Sequence, residues 1–289
     1  MLRIERLTKL FALNSGCQDV SLACKKGEIH GVLGKNGSGK TTLFRCLLGL
    51  IPLDEGSVIL ESSLSTIRQF GYLPEERSVI ADLRVTEMID FFASLKQMSH
   101  KEIREEKVVW LQKLKCEHLK FKRLRECSKG NQQKIQLICS LIHQPDVLIL
   151  DEPLTGLDIS NVRLFKQVIA DYAHSGKIVL LSSHQYEEIE PLCDSLTVLD
   201  KSKVILQGKL GDIKRNHPIK TVSVSEDAQM IYALQKGITE IRHEGNTTRY
   251  LCKSEADAIN IATLALKNRD GRTIKVESLT LKDLLGDQQ

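Results

Sequence analysis

The stretch GKNGSGKT, Gly34 to Thr41, fits the spacing G-x-x-x-x-G-K-[ST]. It follows an apolar, β-rich run that ends in glycine and precedes an apolar run of helical spacing, the context in which such a loop binds phosphate. Its glycines let the backbone wrap until the N–H groups of Gly34, Lys35, Asn36, Gly37, Ser38 and Gly39 face the phosphates of a nucleotide. Lys40 would neutralise the β- and γ-phosphates and Thr41 would ligate Mg²⁺, with Thr42 beside it in the opening turn of the helix. That helix adds its positive dipole end.

A second group lies in VLILDEP, where four strand-forming residues deliver Asp151 and Glu152 to the carboxyl end of a buried strand. Two adjacent interior carboxylates are costly unless they hold a cation or work on substrate. Asp151 suits the magnesium through its water shell, and Glu152 suits a general base acting on an attacking water. His184 ends the run KIVLLSSH. By itself a histidine in that position is more often structural, but a further strand of the same sheet would bring it beside the γ-phosphate.

Strands that alternate with helices imply an α/β domain built on a mainly parallel sheet with helices on both faces. The first residues read as short strands, LRIERL and QDVSLAC, making a β-rich subdomain ahead of the GEIHGVLG strand. TLFRCLLGLI is expected to be a helix stopped by Pro52. A helical subdomain is expected over about 76–135, with Ser99-x-x-Glu102 as a capping box for a helix carrying Val108, Val109, Leu111 and Leu114. The basic run at 113–126 interleaves Glu117 and Glu126 and reads as a solvated helix face. After SLTVLD and KSKVILQGKL the first domain closes near residue 214, and 215–289 follows as a small α+β domain of order β-α-β-β-α-β, with DAQMIYALQ as its first helix. Its His217, His243 and Cys252 are singletons without a chemical cluster.

The chain has 289 residues, 42% hydrophobic and 27% charged, which is enough to bury a real core. A net charge of +4 is too mild to argue for nucleic acid. Eight scattered cysteines without a CxxC pair suggest reduced thiols rather than a zinc site. The charged N-terminus MLRIERLTKLF does not read as a signal peptide, and no run approaches the roughly 18 apolar residues of a membrane helix.

Together these motifs resemble the ATP-binding cassette (ABC) ATPases over residues 1 to about 214. GKNGSGKT is similar to the Walker A loop, VLILDEP to Walker B, LTGLD with Asp158 to the D-loop, and SSH to the switch-histidine region. CSKGNQ takes the place of the family signature, with Ser128, Gly130 and Gln132 expected to meet the ATP of a partner subunit. Cys127, Lys129 and Asn131 depart from the usual signature residues. Phe11 sits where the family stacks an aromatic on adenine, and Glu75 in GYLPEE replaces a glutamine that senses nucleotide and reaches the metal. The resemblance implies ATP and Mg²⁺ as ligands, a head-to-tail dimer with a second ATPase subunit, and an integral membrane transporter subunit as partner. It implies a peripheral position on the cytoplasmic face of the membrane and no role for nucleic acid. The C-terminal extension and the variant motifs look like those of exporters of drugs, peptides, ions or lipids. A soluble member acting on DNA or ribosomes is the alternative. The absence of sustained heptads between Lys40 and Ser128, and the single cassette, weigh against it.

Overall fold

The computed structural model describes residues 1–12, 15–62, 66–76, 78–216, 219–225, 237–267, 273–278 and 280–281. The chain packs as two compact units, Met1–Gly208 and Lys209–Gln289.

In the first unit, β1 (Leu2–Ala12) pairs antiparallel with β2 (Ser15–Cys24) and β4 (Glu55–Leu60). Between them in sequence come β3 (Ile29–Leu33) and α1 (Lys40–Leu47). A short helix α2 (Thr66–Gln69) leads into β5 (Phe70–Leu73), followed by α3 (Val85–Leu95), α4 (His100–Lys113) and α5 (Lys129–Leu141). Then come β6 (Val147–Leu150), α6 (Ile159–His174), β7 (Ile178–Ser183), α7 (Tyr186–Ile189), β8 (Ser195–Asp200) and β9 (Lys203–Lys209). The nine strands form one mixed sheet in the order β4-β1-β2-β9-β8-β3-β7-β6-β5. Its run β8-β3-β7-β6-β5 is parallel. VLIL and IVLLSS are buried at every position, as expected of strands covered on both faces. Leu43, Phe44 and Leu47 of α1 pack into a core with Leu2, Ile4, Val20, Ile149 and Leu180.

Two local expectations are corrected, at the end of α1 and over 113–126, and the capping box between them is met. Helix α1 stops at Leu47, ahead of Pro52, because Gly49 takes φ +68° and its N–H closes on the Cys46 carbonyl. The capping box that opens α4 is present, with Glu102 N–H donating to Ser99 Oγ and Ser99 N–H to the Glu102 carboxylate. Its inward face, however, is Ile103, Trp110 and Leu111, with Leu114 just beyond, while Val108 and Val109 are exposed. The basic run 113–126 is not one helix. Lys115 at φ +55° ends α4, and 3-10 turns at Glu117–Leu119 and Leu124–Glu126 follow. Backbone bonds from Val85 N to Lys122 O and from Leu124 N to Leu83 O tie this segment to the start of α3.

The second unit contains α8 (Leu210–Asn216), β10 (Lys220–Ser225), β11 (Ile238–Glu244), β12 (Thr247–Cys252), α9 (Glu255–Lys267) and β13 (Ile274–Ser278). Its sheet is antiparallel in the order β11-β12-β10-β13, the strand order of a ferredoxin-like sheet. Val222, Val224, Tyr250 and Cys252 pack against Ala258, Ile261, Ala262 and Ala265 of α9. The helix expected over DAQMIYALQ, and His217, lie outside the described residues.

Candidate functional site

The site begins where β3 releases the chain at the carboxyl end of the parallel sheet. Gly39 takes φ +110° as the N-cap of α1 and, having no side chain, supplies no cap hydrogen bond to the amides of the first turn. A Cβ on Gly39 would stand 2.0 Å from the Gly16 carbonyl oxygen, a backbone atom of β2, so this position admits only glycine without movement. Lys35, Asn36 and Gly37 are exposed on the loop, whereas Ser38, Gly39 and Lys40 are buried. The Lys40 ammonium folds back along the loop and donates to the carbonyls of Gly34 at 2.7 Å and Lys35 at 3.2 Å. Thr41 and Thr42 follow it, both half-buried.

Strand β6 delivers Asp151 and Glu152 to the same edge. Both are buried, and Glu152 turns the chain out of the strand at φ +49°, the left-handed region that side-chain-bearing residues seldom occupy. Its Oε1 lies 3.4 Å from Lys40 Nζ and 2.9 Å from His184 Nδ1. Neither approach is aligned as a hydrogen bond, so Oε1 and Nδ1 retain unused bonding capacity in a buried setting. The pair with His184 is ionic only when the imidazole is protonated. Thr155 Oγ1 donates to Glu152 Oε2 at 3.3 Å. Burial raises the Asp151 pKa above the usual carboxylate range, opposed by hydrogen bonds from Ser182 and Thr41. Asp151 Oδ2 is buried without a partner.

Gly34, Lys40, Thr41, Asp151, Glu152 and His184 are thus brought together. Among the described residues no hydrogen bond or ion pair joins Ser128, Gly130 or Gln132 to that group. Ser128 caps α5 by accepting from Asn131 N–H at 3.3 Å, and Gln132 Nε2 donates back to the carbonyls of Leu124 and Cys127. Asp158 caps α6 and accepts from Asn161 N–H and Nδ2. The bond from the Asn161 N–H is the main cause that holds its carboxyl below the ordinary range. Asn161 lies against Gly130, so the loop of Asp158 and the mouth of α5 form one patch. Phe11 stands 62% exposed near the end of β1, with Lys9 Nζ 5.8 Å from its ring centre and Lys9 itself paired with Asp54. Glu75 is exposed just past β5. Beside it Tyr72 has its hydroxyl pKa raised to about 12 by burial, with the charges of Asp151 and Glu75 adding to the rise.

Some contacts of this region are not readable from the motifs. Ser182 bonds both to Asp151 and to the backbone of Glu152, and Gln133 Nε2 donates to Pro153 O, tying α5 to the loop after Glu152. The available signal for Ser182 was a hydroxyl interrupting an otherwise apolar strand just ahead of His184.

A phosphate-binding loop at the end of a parallel strand, facing a buried carboxylate pair, defines a P-loop nucleotide-binding ATPase. The family model for ABC transporters matches residues 17–155. An uncharacterized ABC transporter ATP-binding protein of Methanocaldococcus jannaschii is 44% identical over 214 residues, covering 74% of this chain and 79% of the relative. The uncharacterized ABC transporter ATP-binding protein YhaQ of Bacillus subtilis is 35% identical over 288 residues, covering 98% and 97%. A solved ATP-binding subunit of an ABC transporter superposes with a TM-score of 0.68 at 26% identity, covering 74% of this chain and 92% of that one. The chain belongs to the ATP-binding subunits of ABC transporters and is an ABC-type ATPase. Among its described residues, no helix is long and apolar enough to cross a membrane.

Proposed function

We propose that this chain hydrolyses ATP at the interface with a second cassette, homologous or identical, and so drives a separate membrane subunit that exports its cargo. The observation that carries the reading is the buried Glu152 carboxylate, whose Oε1 has Lys40 and His184 within ion-pair distance and no aligned hydrogen bond. In this reading the loop amides from Gly34 to Thr42 cradle the phosphates and Lys40 exchanges its carbonyl partners for them. Glu152 takes the proton of the attacking water, and His184 bridges that water and the γ-phosphate. Phe11 stacks on adenine.

The donor set fits magnesium. Asp151 Oδ2 is a buried oxygen without a partner, Thr41 shares a hydrogen bond with Asp151, and Mg²⁺ favours few protein ligands beside phosphate oxygens. Thr41, Asp151 and Glu75 would hold the ion, which when bound neutralises charge on the β- and γ-phosphates.

The exposed mouth of α5, capped by Ser128 and, among the described residues, without a hydrogen bond or ion pair to the chain's own phosphate loop, supports a two-chain site in which Ser128, Gly130 and Gln132 meet the ATP of the partner subunit. Asp158 lies in the same patch. A fold neighbour of 21% identity has been solved as a dimeric ABC transporter cassette. For export, the support is the alignment with LptB of Escherichia coli, the ATP-binding protein of a lipopolysaccharide export system, 29% identical over 238 residues. We place the protein peripherally at the cytoplasmic face of the membrane, with residues 1–214 as the ATPase domain and 215–289 as an accessory module.

The test is Glu152→Gln. Turnover should disappear, while ATP should still bind and hold a dimer visible by size-exclusion chromatography. Undiminished turnover would remove Glu152 from the base role. Recovery of a polytopic membrane protein with the purified chain is the expected companion result; a nucleic-acid or ribosome partner in its place would overturn the transport reading.

A further inference from the structure

Ser182 stands outside the roles assigned so far, yet its hydroxyl touches both carboxylate residues of the site. Strands β6 and β7 stay in parallel register as far as Leu150 opposite Leu181, so Ser182 lies where β6 ends. Past that point the Asp151 N–H still bonds to a strand, donating to Leu73 O of β5 at 2.8 Å. The Glu152 N–H instead donates to Ser182 Oγ at 2.9 Å, just where the chain enters its left-handed turn. A hydroxyl has one proton to give, and that of Ser182 goes to Asp151 Oδ1 at 2.5 Å. Ser182 is fully buried, so losing either bond would leave a polar group without water to replace its partner. The neighbouring Ser183 cannot substitute, since its hydroxyl is engaged with the backbone of Gln185.

We infer that Ser182 is a positioning residue for hydrolysis: one buried hydroxyl pins the turn that aims the Glu152 side chain and occupies Asp151 Oδ1 so that Oδ2 is left free. The serine thereby replaces the backbone ladder at the place where the strand must stop and the chain must still be held. This rests on the reading of Glu152 as the base. An ångström of slack in that turn would spoil the approach of Glu152 to a water, while the phosphate loop on α1 would keep its hold on nucleotide.

The experiment compares Ser182→Ala and the near-isosteric Ser182→Cys in the full-length protein. Both should lower kcat roughly 10- to 100-fold, the loss expected of a small misplacement, with the affinity for ATP in the absence of divalent cation close to that of the parent. Parent kcat in either folded variant overturns the inference, as does a fall in ATP affinity in proportion to kcat. In a Glu152→Gln background the serine substitution should lower the residual single-turnover rate by less than its loss in the parent, because the part of its effect that acts through Glu152 is already gone while the part through Asp151 Oδ1 remains. The same fold loss as in the parent would count against Ser182 acting through Glu152. Parent turnover in Glu152→Gln alone removes the base reading and this inference with it. An inactive Glu152→Gln beside a fully active Ser182→Cys removes the inference alone.

Discussion

Gly39 carries two demands that a side chain cannot meet, a φ of +110° and a carbonyl 2.0 Å from where a Cβ would stand. The obstructing oxygen belongs to Gly16 in a paired strand, so relief requires β2 or the loop to move. Gly39→Ala should therefore destabilise the protein by about 2–3 kcal/mol, the scale of a strained backbone position. It should also weaken nucleotide binding through the displaced amides at the start of α1. Urea unfolding and a nucleotide titration of the same sample measure both effects, and parent values in both would refute the steric argument. The position of this glycine was legible in the sequence because the loop is a local device whose spacing sets its own geometry. The same held for Asp151, Glu152 and His184, each at the end of an apolar run. Ser182 was not legible as a partner of Glu152, since that contact depends on where β6 ends relative to β7, a matter of sheet register rather than of either segment alone.

The elements of the parallel sheet announced themselves through unbroken apolar runs, but their ends depended on backbone geometry. Gly49, not Pro52, stops α1, and Lys115 in a left-handed conformation ends α4 inside a stretch whose charges read as continuous helix. Helix α5 offers the sharpest test at this scale, because substitution separates the observed cap of Ser128 from the phosphate contact proposed for it. As N-cap it accepts the Asn131 N–H, a task aspartate performs as well, with added favour from the helix dipole. As a hydroxyl facing the partner's phosphate it would be replaced by a repelling carboxylate. Ser128→Asp should thus leave stability within about 0.5 kcal/mol of the parent, whereas Ser128→Ala should cost about 1 kcal/mol. ATP-dependent dimerisation and turnover should fail in Ser128→Asp. Thermal unfolding with light scattering in the presence of ATP distinguishes the two roles, and a fully associating, active Ser128→Asp would show that α5 is capped but faces no phosphate.

At the scale of the whole molecule, the two units have separate cores. The first is built around Leu43, Phe44, Ile149 and Leu180, the second around Val222, Tyr250 and Ile261. The accessory role proposed for 215–289 then makes a specific demand on a chain ended after Asn216, where β9 and α8 are both complete. Such a chain should fold, bind ATP with parent affinity and keep a basal turnover. It should dimerise only at higher protein concentration, or lose the dependence of its ATPase rate on the membrane subunit. Sedimentation across a concentration series, paired with ATPase assays with and without that subunit, reads both properties. If the shortened chain matches the parent in both, the second unit is neither a dimerisation nor a regulatory module. If it loses ATP binding itself, the separation of the cores does not extend to function.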